Sequence, residues 1–120
     1  MAAIAEQTIR LGEIAHARSG DKGNHANVGV IAFTPAGYAY LKQVLTAAKV
    51  GDYFAPLAPS SVVRYELENL GALNFLVHDV LGGGGIRSLH TDAQGKALGQ
   101  SLLQMRIPRP TNVGQMVRRT

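Results

Sequence analysis

His16, Arg18, Ser19, Asp21, Lys22, Asn24, His25 and Asn27 fall within one short stretch of the chain, with Gly20 and Gly23 among them. A tight turn between two strands consumes far fewer polar groups, so the density itself points to a site. Glycines at 20 and 23 would let backbone amides turn toward a common point, and Arg18 or Lys22 beside them would favour a phosphate or carboxylate there. The candidate ligand-binding set is therefore Arg18, Ser19, Gly20, Asp21, Lys22, Gly23, Asn24 and Asn27, with Lys22 as the charge and the amides of Gly20 to Asn24 as donors. The stretch lacks the spacing of a Walker loop, and a strand rather than a helix N-terminus follows it; it is not a dinucleotide fingerprint either. A local reading stays open beside the anion site: Asp21 and Asn24 can bond neighbouring amides and simply hold a turn, with Lys22 solvated.

Other residues offer less chemistry. His16 and His25 could act as a base or as ligands, but without a third ligand they predict no metal site. Ser19 and Ser88 stand near histidines, yet neither lies in a strained nucleophile elbow, so no catalytic set is assigned and no cofactor is implied. Asn74 and His78 are four apart and would share one stripe of a helix, where they could hydrogen-bond to each other as a buried pair. Gly82–Gly85 could let backbone approach a ligand or could form a link that is costly to order.

The elements that must hold these residues follow from apolar periodicity. Thr8–Ile14 predicts a strand with a bulge at Gly12, and Val28–Phe33, short and β-branched, predicts a buried central strand. Thr34-Pro35 opens a helix carrying Tyr38, Leu41, Leu45 and Ala48 and ending near Lys49–Gly51. Tyr53–Ser61, with two prolines, predicts an extended connection. Val63, Tyr65 and Leu67 then alternate with Arg64, Glu66 and Glu68, which predicts a strand with one wet face on which Arg64 and Glu66 pair with a neighbour. Leu70–Leu81 is apolar nearly all round a helical wheel and predicts a buried helix ended by Gly82. Ile86–His90 predicts another strand, and Thr91 or Asp92 caps a helix with Ala97, Leu98, Ser101, Leu102 and Met105 on one face. A further strand could hide in Tyr53–Ser61 or Arg106–Ile107.

The predicted fold class is α+β: a two-layer, ferredoxin-like sandwich with helices on one face of a mainly antiparallel sheet. Tyr38–Leu45 and Leu73–Val80 are expected as helices on the same face. Residues 1–107 would form one domain, which 46% hydrophobic content can supply with a core, and 108–120 a flexible basic tail. The net charge of +4 resides in Arg106, Arg109, Arg118 and Arg119; residues 1–105 are neutral, with eight basic and eight acidic side chains, which argues against a nucleic-acid face. No apolar run is long enough to span a membrane, and the absence of cysteine fits a reducing, cytoplasmic setting.

Ala17-Arg18-Ser19-Gly20-Asp21-Lys22-Gly23, followed by Asn27-Val28-Gly29-Val30, resembles the C-terminal domain of the acyclic terpene utilisation protein A (AtuA) family. The resemblance continues in the same order through Arg64-Tyr65-Glu66, Asn69-Leu70, Ala72-Leu73-Asn74-Phe75, Leu81-Gly82-Gly83-Gly84, Gly95-Lys96 and Leu98-Gly99, and spans about Leu11 to Ile107. It implies a ferredoxin-like fold and a place in the degradation of branched or terpenoid acids through acyl-CoA intermediates. Such domains occur both fused behind a larger one and as separate short proteins. Glu68 stands where the family typically has proline, and Phe33 where a basic residue is frequent; the latter weakens the case for an extended acidic ligand such as the diphosphate of coenzyme A at that end of the sheet.

These readings leave two functions in competition. One is an accessory subunit that binds a larger AtuA-type protein; the other is an enzyme acting itself on an acyl-CoA-linked or carboxylate substrate. A homo-oligomer and an anionic small molecule remain open as partners, while nucleic acid and membrane are not expected.

Overall fold

Side-chain alternation with a period of two governs the middle of this chain. The computed structural model describes residues 7–80 and 97–118 and, within them, every side chain but that of Lys22. Its strands are β1 (Thr8–Arg10), β2 (Ala15–Lys22), β3 (His25–Ala32), β4 (Ser61–Leu67), β5 (Ala72–His78) and β6 (Arg106–Pro108). Its helices are α1 (Pro35–Val44), α2 (Ala47–Tyr53) and α3 (residues 97–102).

The main sheet has the order β2-β3-β5-β4 with every neighbouring pair antiparallel. β3, α1, α2 and β4 form a split βαβ unit, because β5 is inserted between its two parallel strands. β2 fills the opposite edge as the other arm of a hairpin with β3. One face of the sheet carries Ala26, Val28, Val30, Leu73, Phe75 and Val77, all buried against the helices. Val62 on β4 meets Gly51 of α2 on this face, and Ala17 and Ser19 on β2 meet Gly99 of α3. The molecule is thus an α+β, ferredoxin-like two-layer sandwich; among the described residues the helices lie on one face and the other face is open. β1 and β6 pair antiparallel as a separate two-stranded clasp, with Ile9 opposite Ile107 and both buried.

Several elements differ from the sequence expectation. Ala72–His78 of the expected Leu70–Leu81 helix is a strand: Leu73, Phe75 and Val77 are buried while Asn74, Leu76 and His78 are half-buried. A segment apolar on all sides suits a strand flanked by two others as well as it suits a buried helix, and pairing with β3 and β4 decides the matter. Leu73–Val80 therefore supplies no helix to lie beside Tyr38–Leu45, although Val28–Ala32 and Val63–Leu67 do fall within strands of one sheet, Phe33 lying one residue past β3. The helix opened by Thr34-Pro35 stops early. The Thr34 side chain accepts from Gly37 N at 3.0 Å, but Thr46 then caps a second helix by accepting from Lys49 N at 3.1 Å. A second capping residue mid-segment offers the chain a new start, and it is taken.

The first strand ends at Arg10, because Leu11–Glu13 winds into a 3-10 turn whose Glu13 carboxylate accepts from Arg10 N at 2.9 Å. Tyr53–Ser61 holds a 3-10 turn (Ala55–Leu57) and no strand of its own before β4 begins at Ser61, while the segment at Arg106–Ile107 is indeed β6. The expected strand Ile86–His90, the cap at Thr91 or Asp92 and the Gly82–Gly85 link lie outside the described residues; Leu98 and Leu102 of α3 are buried as expected. After β6 the chain crosses α1. Tyr40 OH donates to Pro108 O, Thr34 Oγ1 donates to Gln115 O at 2.8 Å, and Met116 is only 3% exposed.

β4 has its alternation reversed. Val63, Tyr65 and Leu67 face the open side at 36%, 49% and 40% exposure. Arg64 and Glu66 face the helices instead. The Arg64 guanidinium donates to Lys42 O at 2.9 Å and Leu45 O at 3.0 Å, carbonyls at the end of α1 that no helical amide takes up, and to Glu66 Oε2 at 2.7 Å. The pair is thus formed within one strand, under a helix, rather than across strands on a wet face.

Candidate functional site

The polar stretch from Arg18 to Asn27 is a β-hairpin and not a loop. β2 and β3 pair from Ala15↔Ala32 to Lys22↔His25, leaving only Gly23 and Asn24 as the turn. Gly23 has φ 64°, at the first turn position, where a two-residue hairpin needs the left-handed region. Alternation then divides the expected set between two faces. Ser19 and Asp21 share the helix side, while Arg18, Gly20 and Asn27 fall on the open side, with Lys22 at an open-side register position. Backbone amides of a paired strand lie in the sheet plane, so they do not converge into an anion nest.

Ser19 has a structural task. Its Oγ accepts from Gly99 N at 3.1 Å, and a Cβ on Gly99 would stand 3.1 Å from that oxygen and 3.3 Å from Ala17 Cβ. Only glycine lets α3 approach β2 this closely.

On the open face the register sets Arg18, Gly29, Asn74 and Tyr65 in one row and Gly20, Asn27, Leu76 and Val63 in the next. Asn74 and His78 do share a side, as the helical reading had it, but as strand residues with Leu76 between them and with no hydrogen bond to each other. Among the described residues, the side chains of Arg18, Asn27 and Asn74 have no hydrogen-bond or ion-pair partner. No open-face register position carries an acid, whereas Arg18, Lys22, His16, His25 and His78 all occupy such positions.

Where this face meets the hairpin tip, His25, His78, Asp79 and Ser60 gather. His25 Nδ1 accepts from Asp79 N at 3.1 Å, which places the proton of the neutral ring on Nε2. The His78 ring lies edge-on at 4.6 Å between centroids, Asp79 Oδ1 is 3.8 Å from His25 Nδ1, and Ser60 Oγ donates to Asp79 Oδ2. Asp79 holds φ 63°, in the left-handed region. Such a cluster can relay a proton or hydrogen-bond a polar group. Sequence spacing gave no sign of it, because its members come from β3, from β5 and the residue after it, and from the residue before β4. Among the described residues no group of three or more His, Cys, Asp or Glu could hold a metal.

A third polar group is structural. Lys42 Nζ is 3.1 Å from Glu68 Oε2 and 5.1 Å from the centre of the Tyr38 ring. Tyr38 OH is sealed from water without a hydrogen-bond partner, and burial first, then the nearby Glu68 charge, pushes its pKa up. The Glu68 hydrogen bond raises that of Lys42. Clefts of about 440 and 410 Å³ lie on the helix side, lined mainly by small and apolar residues, and Asp52 is the one ionisable carboxylate lining them.

A split βαβ unit with one helical layer and one open sheet face defines a ferredoxin-like α+β domain. The family model for the AtuA ferredoxin-like domain matches residues 9–108, and the chain belongs to that family. No curated protein and no solved structure matches it. None of the described helices is long and apolar enough to cross a membrane.

Proposed function

We propose that this domain is an accessory module, working in the cytoplasm, that docks through the open face of its sheet onto a larger AtuA-type protein in the catabolism of branched or terpenoid acids by way of acyl-CoA intermediates. The observation that carries this reading is the reversed alternation of β4. A solvated strand buries its apolar residues and exposes its charges, yet β4 turns Val63, Tyr65 and Leu67 outward and takes Arg64 under the helices. With Ile31 and Leu76 on neighbouring strands they make an apolar field at one side of the face, the kind of surface a partner covers. The family's habit of occurring fused behind a larger domain supplies the occupant.

The experiment is co-purification of the tagged chain from its native host, with the captured chain identified by mass spectrometry and the complex reconstituted from purified parts. A larger AtuA-type chain that binds wild type, and loses affinity at least tenfold with Leu67→Glu or Tyr65→Ala, is the expected result. A chain that binds no such protein and stays monomeric would overturn it, and a dimer broken by the same variants would assign the face to a second copy. The cluster of His25, His78 and Asp79 supports the second reading, an enzyme acting on an acyl-CoA-linked or carboxylate substrate; turnover by the isolated chain, lost with His25→Ala, would favour it.

A further inference from the structure

Gly20 and Gly29 are glycines that the isolated fold does not require. Neither has a positive φ. A Cβ on Gly20 would meet nothing within 4 Å, and one on Gly29 would make only ordinary contacts, 3.7 Å to Arg18 O and 3.8 Å to Asn74 Oδ1. Glycine inside a strand costs ordering entropy and contributes no packing, so its presence where a larger residue fits marks a place where something from outside comes close to the backbone.

The two positions are diagonal neighbours. Arg18 pairs with Gly29 and Gly20 pairs with Asn27, so glycines and polar side chains alternate on a small square of the open face. Asn74 closes the next position in the Arg18 row. Arg18 and Asn74 are therefore two strand spacings apart, roughly 9–10 Å, with only Gly29 between them. The result is a flat-floored dimple walled by a guanidinium and two carboxamides, none of which has a partner among the described residues.

We propose that this dimple binds a carboxylate. A planar group can lie flush on the glycine floor, where a tetrahedral phosphate cannot. One Arg18 fork matches a single negative charge with two oxygens, and the Asn27 amide adds a neutral donor at the side; Asn74, whose Oδ1 lies nearest Gly29, presents its NH2 to the anion by turning the carboxamide over. Among the described residues, no acid on this face competes for the guanidinium. The site borders the apolar field of β4 on the same face, Asn74 being the cross-strand partner of Tyr65, and it can be tested on the chain alone without a partner.

The test is titration of the ¹⁵N-labelled full chain with acetate, and separately with inorganic phosphate, at constant ionic strength. Acetate should shift the Gly20 and Gly29 amides and the Asn27 and Asn74 carboxamides along one saturable curve. Arg18→Gln should weaken that binding roughly ten- to a hundredfold, as expected for a lost charge-assisted bond. Gly20→Ala and Gly29→Ala should abolish it while leaving the unfolding midpoint unchanged or higher, and Leu67→Glu should leave it intact. Wild-type acetate binding by both alanine variants, a lowered midpoint in either, shifts spread over all basic residues, or tighter binding of phosphate would each overturn the proposal.

Discussion

Replacing Arg64 by methionine keeps most of the aliphatic stem and removes the guanidinium, so it isolates the polar work done beneath α1. Two charged hydrogen bonds to Lys42 O and Leu45 O disappear, and those carbonyls become unpaired at a site where the Arg64 side chain is 20% exposed. A bond made by a charged donor contributes about 1.5–3 kcal/mol, and methionine recovers part of the buried contact, so the two together should cost about 2–4 kcal/mol. The ion pair with Glu66 adds little, since Glu66 is 43% exposed and half-solvated pairs contribute about 0–1 kcal/mol. For a domain of this size the loss corresponds to a fall in Tm of roughly 6–16 °C. Thermal and urea unfolding followed by circular dichroism would measure it, with Glu66→Gln as the control expected to change stability by less than about 1 kcal/mol. If Arg64→Met costs no more than Glu66→Gln, the cap on α1 contributes nothing, and the account of why β4 turns its charges inward fails.

Met116→Ala should destabilise by about 2–3 kcal/mol, at the lower end for buried methionine because the site borders solvent, and the Gln115 and Met116 amides, which donate to Asn112 O and Val113 O, should be protected in hydrogen exchange in the wild type only. Gly99→Ala should cost about 1–3 kcal/mol by forcing α3 off β2, and Ser19→Ala in the same background should recover part of it, a double-mutant cycle in urea being the check. Tyr38 has a folded-state pKa above its unfolded value, so its contribution is fully present below pH 10 and is lost as pH rises through the folded value. Stability should therefore be flat near neutrality and fall in alkali, and Tyr38→Phe should shallow that fall while changing stability at pH 7 by less than about 1 kcal/mol.

Local chemistry was legible where a residue's effect is confined to its own turn. Thr34-Pro35 started a helix as expected because capping needs only the next three residues. The apolar run from Val28 likewise marked a central strand. The order of helices and strands was misread at Leu73–Val77, where apolar residues on all sides satisfy both a buried helix and a strand paired on two edges, and only β3 and β4 distinguish them. The candidate site suffered from the same blindness to pairing. Read as a loop, Arg18 to Asn24 offered converging amides; paired with β3 it offers alternate side chains, which keeps Arg18 and Asn27 together, adds Asn74 from β5 and sends Ser19 to the helices. The outward turn of Val63, Tyr65 and Leu67 was illegible for a related reason, since alternation reports that a strand has two faces but not which one the helices cover.

The clasp of β1 with β6 sets Thr8 opposite Pro108, so the two ends of the family-matched span lie side by side. A unit with adjoining ends can be spliced into a loop of another protein, or hung from its terminus, at the cost of one short seam and without disturbing its sheet. Evolution can then shuttle such a piece between tethered and free existence by moving a single junction, and a laboratory can do the same: joining the ends and cutting at the Gly23–Asn24 turn should give a permuted chain that still folds.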